Sequence, residues 1–260
     1  NAVLSSGNTP VFCDVELDTA NMDVSAARQA VSDHAPTLII SPNHFGIQSN
    51  IAALKEFGLP IIEDCAQSFL TSQTSDFISD VKVFSFYPTK VINGVDGGAI
   101  LCMDDALADQ IRDIRSYDHQ LEDDGKTRYN FKLSNINAIL TLQSLKSTDD
   151  YEDLYKKHVE TYKKGLLEQS EYSIMAGSSS DILYKFMLRF EDESAKLEMM
   201  SRLEKNQIGA GVELIGLTGV LDNFPKAKKL TDLTLSIPLY ESLKEDEIQL
   251  VINVLNSPNQ

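Results

Sequence analysis

The chain has 260 residues, enough to bury a sizeable core as one large or two unequal domains, and its 42% apolar and 24% charged contents are ordinary for a globular protein. Its formal net charge of −16 repels nucleic-acid phosphates and anionic lipid surfaces, which argues against both as partners. Because no apolar run is long enough to cross a bilayer, we expect no membrane partner and predict a cytoplasmic protein.

The three cysteines indicate neither a disulfide framework nor a metal site. Cys13, Cys65 and Cys102 are widely spaced, odd in number, and each lies in an apolar run. This pattern is typical of buried, reduced thiols in a cytosolic protein. Because the chain has no CxxC pair and no cluster of histidine and cysteine, we predict no bound metal.

The first half of the chain alternates apolar runs with amphipathic patterns. We predict helices at residues 23–32, 49–57 and 106–115. We predict strands at residues 10–15, 37–40, 61–62, 81–85 and 98–103. This alternation predicts the α/β class, with a central, mostly parallel sheet flanked by helices. In such a sheet, ligands bind at the carboxyl ends of the strands.

The second half of the chain is helical at first and then mixed. A helical pattern runs over residues 133–168, with a predicted break near residue 147 where Ser-Thr-Asp-Asp can end one helix and cap the next. Further elements are predicted as a strand at 184–190 and helices at 194–205 and 245–255. We therefore predict two domains, a large one at 1–147 and a smaller α+β domain at 148–260.

A loop that contains a lysine carries the strongest chemical signal. Residues 84–90 read Phe-Ser-Phe-Tyr-Pro-Thr-Lys at the end of a predicted strand, and a glycine-rich stretch follows at 93–98. Another apolar run ends at Asp64, 26 residues before Lys90. A lysine amine for a Schiff base and a strand-end carboxylate for a pyridinium nitrogen are what pyridoxal 5′-phosphate (PLP) requires. Ser85 and the backbone amides of the glycine-rich stretch are candidate phosphate donors.

Each of these residues also has a purely structural explanation. Lys90 alone is typical of a surface lysine, Asp64 of a helix cap, and residues 96–98 of a tight turn. Their common order and context along the chain favour the cofactor interpretation over three independent coincidences.

A series of motifs extends this pattern over nearly the whole chain, most strongly over residues 1–145. The motifs lie at residues 2–4, 10–12, 44–46, 58–67, 84–90, 96–99 and 129–138. In this order they resemble the DegT/DnrJ/StrS family of PLP-dependent sugar aminotransferases. The resemblance implies the PLP-dependent transferase fold of type I, which is the fold of aspartate aminotransferase.

The resemblance implies a role for five residues. Lys90 matches the lysine that bonds to PLP and carries the proton, and Asp64 matches the carboxylate under the ring nitrogen. Gln67 matches the position that contacts the ring hydroxyl, and Ser85 matches the hydroxyl that binds the phosphate. Asn130 matches an asparagine that reaches the phosphate of the neighbouring subunit. The resemblance thus implies a homodimer with shared active sites.

Two features depart from the family pattern. In family members a further segment precedes the position of Asn1, with a phosphate-binding turn at a helix start and an aromatic residue that stacks on the cofactor. We therefore expect a truncated chain whose PLP-binding domain is incomplete at its amino end. Residues 213–220 lack the histidine that many relatives carry near the sugar. His44 is a family landmark that either a structural or a catalytic role would explain.

The resemblance implies an aminotransferase that transfers an amino group to a nucleotide-linked keto-deoxysugar, with glutamate as the expected donor. A PLP-dependent sugar dehydratase is a less favoured alternative, because that branch of the family replaces the lysine with histidine. A third alternative is an inactive, truncated member that serves as a scaffold. The sugar, its ring position and the pathway stay open.

Overall fold

The computed structural model describes residues 1–118, 125–166, 171–175, 177–214 and 219–257. The strands are β1 (Ile39–Pro42), β2 (Ile61–Asp64), β3 (Val81–Ser85), β4 (Gly98–Cys102), β5 (Tyr172–Ile174), β6 (Phe186–Phe190) and β7 (Thr234–Ile237). The helices are α1 (Ala2–Ser5), α2 (Val24–His34), α3 (Ile51–Lys55), α4 (Phe69–Thr74), α5 (Asp105–Arg115), α6 (Asn135–Leu145), α7 (Thr148–Gly165), α8 (Glu193–Lys205), α9 (Pro225–Leu233) and α10 (Glu245–Asn256). Short 3₁₀ turns lie at His44–Gly46 and Leu221–Asn223.

Strands β1 to β4 form one mixed sheet in chain order. β1, β2 and β3 run parallel, with Ile39 opposite Ile61, and β4 joins β3 in the antiparallel direction. Helix α3 packs against β2, and α5 packs against β4. The predicted α/β class and its mostly parallel sheet are therefore confirmed.

Strands β5 to β7 form a second, antiparallel sheet. Helices α7, α8 and α10 pack together beside it, and the buried Tyr162 ring of α7 lies 5.0 Å from the Phe186 ring of β6. The hydrophobic core continues from here to Phe84 of the first sheet. The predicted boundary between residues 147 and 148 falls between α6 and α7 and stays a proposal.

Strand β2 is polar on both of its faces near its end. Glu63 is fully buried on one face, where its carboxylate accepts hydrogen bonds from Asn43 Nδ2 at 2.7 Å and from the Ser79 hydroxyl at 2.8 Å. These two donors offset the cost of burying a carboxylate. Because side chains alternate along a strand, Asp64 points to the opposite face. The Glu63 contacts therefore hold the strand from which Asp64 projects.

The strand predicted at residues 10–15 is wrong. The structure shows only an isolated bridge between Val15 and Met22 there, and Phe12 is 47% exposed. Instead, the Asp14 carboxylate accepts hydrogen bonds from the backbone amides of Lys226 and Ala227 at 3.0 and 2.8 Å. Asp14 thus satisfies the amide groups at the start of α9, and a contact over two hundred residues along the chain replaces sheet pairing.

The other predicted elements of the first sheet and its helices are present with modest shifts. The predicted cap is confirmed, because Asp23 accepts from the amides of Ser25 and Ala26 at the start of α2. The long helical pattern divides into α6 and α7 at Ser147, and its predicted last two residues, 167–168, lie outside the described residues. No described helix is long and apolar enough to span a bilayer.

The cysteines agree only in part with their predicted burial. All three are free thiols, but only Cys65 is buried, whereas Cys13 and Cys102 are partly exposed. Cys102 ends the edge strand β4, which no further strand covers in the described part of the sheet. For Cys102, the position of its strand at the edge of the sheet, rather than the apolar run itself, accounts for the partial exposure of the thiol.

Candidate active site

Three of the candidate residues lie at or just after the ends of two neighbouring parallel strands. Asp64 is the last residue of β2, and β3 ends at Ser85, shortly before Lys90. Since β2 and β3 are parallel, both end at the same edge of the sheet. Asp64 lies opposite Val83, so its side chain and that of Ser85 share one face. The structure therefore gathers Asp64, Ser85 and Lys90 at one corner of the sheet.

The Lys90 side chain is half-buried, and its amine faces an aromatic ring. Nζ lies 5.5 Å from the centroid of the Tyr184 ring, and no described residue forms a hydrogen bond or ion pair with it. Burial lowers the pKa of Lys90 from its ordinary value, while the Asp64 carboxylate opposes this change and Lys185 adds to it. A larger fraction of the Lys90 amine is therefore neutral, and nucleophilic, than of an exposed lysine at the same pH.

The Asp64 carboxylate is held at one oxygen only. Oδ1 accepts a hydrogen bond from the Ala66 amide at 3.0 Å, and no described residue donates to Oδ2. The charge of Asp64 also acts on His44, where burial lowers the pKa and Asp64 partly opposes that change. His44 is thus a mostly neutral ring beside the candidate residues, and its backbone amide donates to Asn21 Oδ1 at 2.8 Å.

Gln67 connects the end of β2 to the 3₁₀ turn at residues 44–46. Its Oε1 accepts a hydrogen bond from the Phe45 amide at 3.1 Å. Phe45 is buried and has a φ of +61°, a left-handed conformation that residues with a side chain seldom adopt. Gln67 therefore helps to hold a strained turn, and its Nε2 is the group left for the predicted contact with a ring hydroxyl.

The predicted phosphate donors are only partly available. The Ser85 hydroxyl oxygen accepts from the Tyr87 amide at 3.3 Å, which leaves its proton for a ligand. By contrast, the Gly94 amide donates to a backbone carbonyl at 2.9 Å, and the Gly97 amide donates to the preceding carboxylate at 2.7 Å. The prediction that the glycine-rich backbone binds phosphate is therefore wrong for these two amides, because they stabilise their own turn.

Asn130 lies at the surface, in the segment between α5 and α6. It is exposed and pairs with Ser116 in an isolated bridge, next to the stacked rings of Tyr129 and Phe131 at 4.7 Å. No described contact joins it to Asp64, Ser85 or Lys90. The structure therefore brings four of the five predicted residues to the region around the ends of β2 and β3, and leaves the fifth facing solvent.

Three residues beside Lys90 were missed by sequence reasoning. The Lys185 amine lies 5.4 Å from the same Tyr184 ring and forms an ion pair with Glu213 at 3.1 Å. Residues 184 and 185 were predicted as the start of a strand, and an ion pair between residues 28 positions apart leaves no signal in the sequence pattern. Of the loop at 213–220 that was noted for its missing histidine, residues 215–218 lie outside the described residues.

Nearly the whole chain matches one family of enzymes. The model of the DegT/DnrJ/EryC1/StrS aminotransferase family matches residues 1–256. The chain belongs to this family. Two related proteins are the spore coat polysaccharide biosynthesis protein SpsC of Bacillus subtilis (strain 168), 26% identical over 98% of this chain and 75% of SpsC, and the dTDP-3-amino-3,4,6-trideoxy-alpha-D-glucose transaminase of Micromonospora megalomicea subsp. nigra, 27% identical over 98% of this chain and 74% of that protein.

Comparison with solved structures confirms the fold. DesV of S. venezuelae, in complex with a ketimine intermediate, has a TM-score of 0.85 at 23% identity, with 98% of this chain and 73% of DesV covered. The chain thus spans about three quarters of the length of these relatives. The resemblance to a sugar aminotransferase family is confirmed, and so, for the family as a whole, is its dependence on PLP.

Proposed function

We propose that this chain is a PLP-dependent aminotransferase in which Lys90 bonds to the cofactor. One observation carries the proposal. A half-buried lysine amine that no described residue pairs lies near a carboxylate, Asp64, with one oxygen that no described residue occupies. PLP carries an aldehyde that an amine attacks and a ring nitrogen that a carboxylate pairs with. The two side chains therefore fit the cofactor.

Each candidate residue has a task that its surroundings support. PLP, when bound, supplies a ring that accepts electrons from the reacting carbon of the substrate. Lys90 would hold PLP through its amine and, whenever that amine is free of the cofactor, its lowered pKa would let it take up and give back the proton of the reacting carbon. Asp64 pairs with the protonated ring nitrogen, Gln67 donates Nε2 to the ring hydroxyl, and Ser85 donates its hydroxyl to the phosphate.

The first test is a PLP titration of the full chain, followed by visible absorbance. We expect the band of a lysine-bound cofactor, and borohydride reduction should leave a stable mass increase on the peptide that contains Lys90. Lys90→Ala should abolish both signals. Lys164→Ala is the matched control, because Lys164 is an exposed lysine of α7 paired with Glu160. A wild-type chain that shows no band at saturating PLP would refute the proposal.

Asp64→Asn separates cofactor binding from cofactor activation. The substitution keeps the shape of the side chain and its acceptor for the Ala66 amide, but removes the charge. We expect the absorbance band to persist while turnover falls at least about a hundredfold, because the ring nitrogen is no longer held protonated. Unchanged turnover would assign Asp64 a structural role only.

We propose a nucleotide-linked keto-deoxysugar as the amino acceptor and glutamate as the donor. The support is the family match, together with a relative that is a transaminase of a dTDP-linked amino sugar. Incubation of the chain with PLP, glutamate and a nucleotide-linked keto-sugar should yield 2-oxoglutarate and an amino sugar in equal amounts. Loss of the sugar hydroxyl with release of ammonia, in place of an amino sugar, would favour the dehydratase instead, and PLP binding without any product would favour the scaffold.

We also propose a homodimer whose active sites are shared through Asn130. The support is the exposure of Asn130 and the absence of any described contact between it and the other candidate residues. Lys90→Ala and Asn130→Ala chains should each be impaired alone. When mixed and refolded together, they should regain activity, because a mixed dimer then carries one site with both residues intact. No recovery in a mixture that forms mixed dimers would contradict sharing.

A further inference from the structure

Two lysine amines lie against one aromatic ring beside the candidate active site. Lys90 Nζ is 5.5 Å and Lys185 Nζ is 5.4 Å from the centroid of the Tyr184 ring. The two amines are therefore no further apart than about 11 Å, a separation at which charges still interact when water is partly excluded. Two like charges at this range disfavour each other, so their joint presence calls for an explanation.

Tyr184 is hydrogen-bonded both to the loop that contains Lys90 and to the turn at residues 44–46. It is 7% exposed, and its hydroxyl donates to the Thr89 carbonyl at 2.5 Å, next to Lys90 in the chain. Its backbone amide donates to the Phe45 carbonyl at 2.8 Å, in the turn that Gln67 also holds. Because both ends of Tyr184 are bonded, the separation of the lysine loop from Lys185 is set by the fold.

Lys185 is held on its other side by Glu213. The two form an ion pair at 3.1 Å, with 29% of the Lys185 side chain and 24% of the Glu213 side chain exposed. Glu213 also accepts from the Ser236 hydroxyl at 2.8 Å, and Ser236 exchanges two backbone hydrogen bonds with Gly211. Because the ion pair is shielded from water and Glu213 is also bonded to Ser236, the charges of Lys185 and Glu213 are held at fixed positions.

We propose that the Lys185–Glu213 ion pair is a positioning element that sets the charge state of the Lys90 amine. This rests on the proposed function only in that Lys90 is taken as the reactive amine. The charged groups that act on Lys90 are Asp64 from β2, Lys185 from the segment entering β6, and Glu213 from the segment after α8. The positive charge of Lys185 favours the neutral form of the Lys90 amine, and the negative charge of Glu213 limits that effect. The ion pair thus keeps the Lys90 amine between a neutral, nucleophilic form and a charged form that is attracted to Asp64.

The proposal predicts shifts of opposite sign for the two partners. Lys185→Met keeps the apolar stem but removes the cation, so the pKa of Lys90 should rise by about half a unit to one unit. Glu213→Gln keeps an acceptor for Ser236 but leaves Lys185 unpaired, so the pKa of Lys90 should fall by a similar amount. The double variant should lie between them, and Lys185→Arg should stay close to wild type because it keeps the cation.

The experiment measures Lys90 directly and without cofactor. The full chain is acetylated with trace acetic anhydride from pH 6 to 11, and the extent of labelling at Lys90 is read by mass spectrometry. Lys164→Met serves as the matched control, because Lys164 also pairs at 3.1 Å, with Glu160, but on an exposed surface. It should leave Lys90 unchanged. In 1 M salt both shifts should shrink, because the screening length falls to about 3 Å.

The outcomes are separable from those of the proposed function. Opposite shifts support the proposal even if the chain fails to bind PLP, in which case the proposed function alone fails. Shifts of the same sign, or no shift in variants that keep the wild-type thermal midpoint and circular dichroism, would overturn the proposal. The rate of PLP attachment at pH 8 is a second readout, and it should be slower in Lys185→Met and faster in Glu213→Gln.

Discussion

The buried contact between Asn43 and Glu63 predicts a large loss of stability on Asn43→Ala. Asn43 is 1% exposed and Glu63 is 0% exposed. Asn43 Nδ2 donates to the Glu63 carboxylate at 2.7 Å, and Asn43 Oδ1 accepts from the Ser49 amide at 2.9 Å. Truncation leaves one buried carboxylate oxygen and one buried amide unsatisfied, at about 2 and about 1 kcal/mol respectively. We expect the free energy of unfolding to fall by about 3 kcal/mol.

The assay is urea unfolding at pH 7 followed by far-ultraviolet circular dichroism. Asn43→Ala should move the midpoint to lower urea with an unchanged slope, because the surface exposed on unfolding stays the same. Asn8→Ala is the control: its hydrogen bonds to Ser6 are exposed, and its cost should stay within about 0.5 kcal/mol. Equal costs for the two variants would refute the reasoning that burial, rather than bond count, sets the energy.

Three further predictions concern packing, protonation and thiol access. Gly94→Ala should destabilise the fold by at least about 2 kcal/mol in the same assay, since a β-carbon there would meet Thr141 Oγ1 at 2.0 Å. Burial lowers the pKa of His44 from 6.5, so the stability that its neutral ring contributes is complete above pH 6.5 and lost as the pH falls below it. Thermal midpoints from pH 8 to 5 should therefore fall less steeply for His44→Gln; identical slopes would contradict this. Burial raises the pKa of Cys65 to about 12, so at pH 8 a thiol reagent should label the partly exposed Cys102 in the folded chain and Cys65 only after unfolding.

Local signals were sufficient for most of the first sheet and its helices. Strand β3 is found at its predicted residues, and α2 and α5 begin after the aspartates Asp23 and Asp104, whose carboxylates cap them. These features depend on neighbours within a few residues, which is why they can be read from a single sequence. Strand β7 was missed for the opposite reason. Its four residues, Thr-Leu-Ser-Ile, alternate polar and apolar types but form too short a run to identify a strand, and its identity depends on pairing with β6.

The candidate site divides in the same way. The order of motifs was enough to select Lys90, Asp64, Gln67, Ser85 and Asn130 and to indicate a sugar aminotransferase family, because residue type and spacing carry that information. The family is confirmed, and the roles of the five residues stay predictions. The folded structure shows contacts that the spacing of residues in the sequence does not predict. Glu213 reaches Lys185, Tyr184 joins the loop of Lys90 to β6, and the amides of Gly94 and Gly97 are used within their own turn.

The sequence of this chain was therefore enough to indicate its class of fold and its family, which are confirmed, and to predict the residues suited to hold PLP. All three follow from local patterns and from the chemistry of each side chain. The surroundings of those residues depended on three-dimensional packing. The half-buried Lys90 amine and the shielded Lys185–Glu213 ion pair arise where segments far apart in the chain exclude water together. The burial of a side chain and its electrostatic interactions with residues distant in sequence cannot be read from the pattern of residues along the chain.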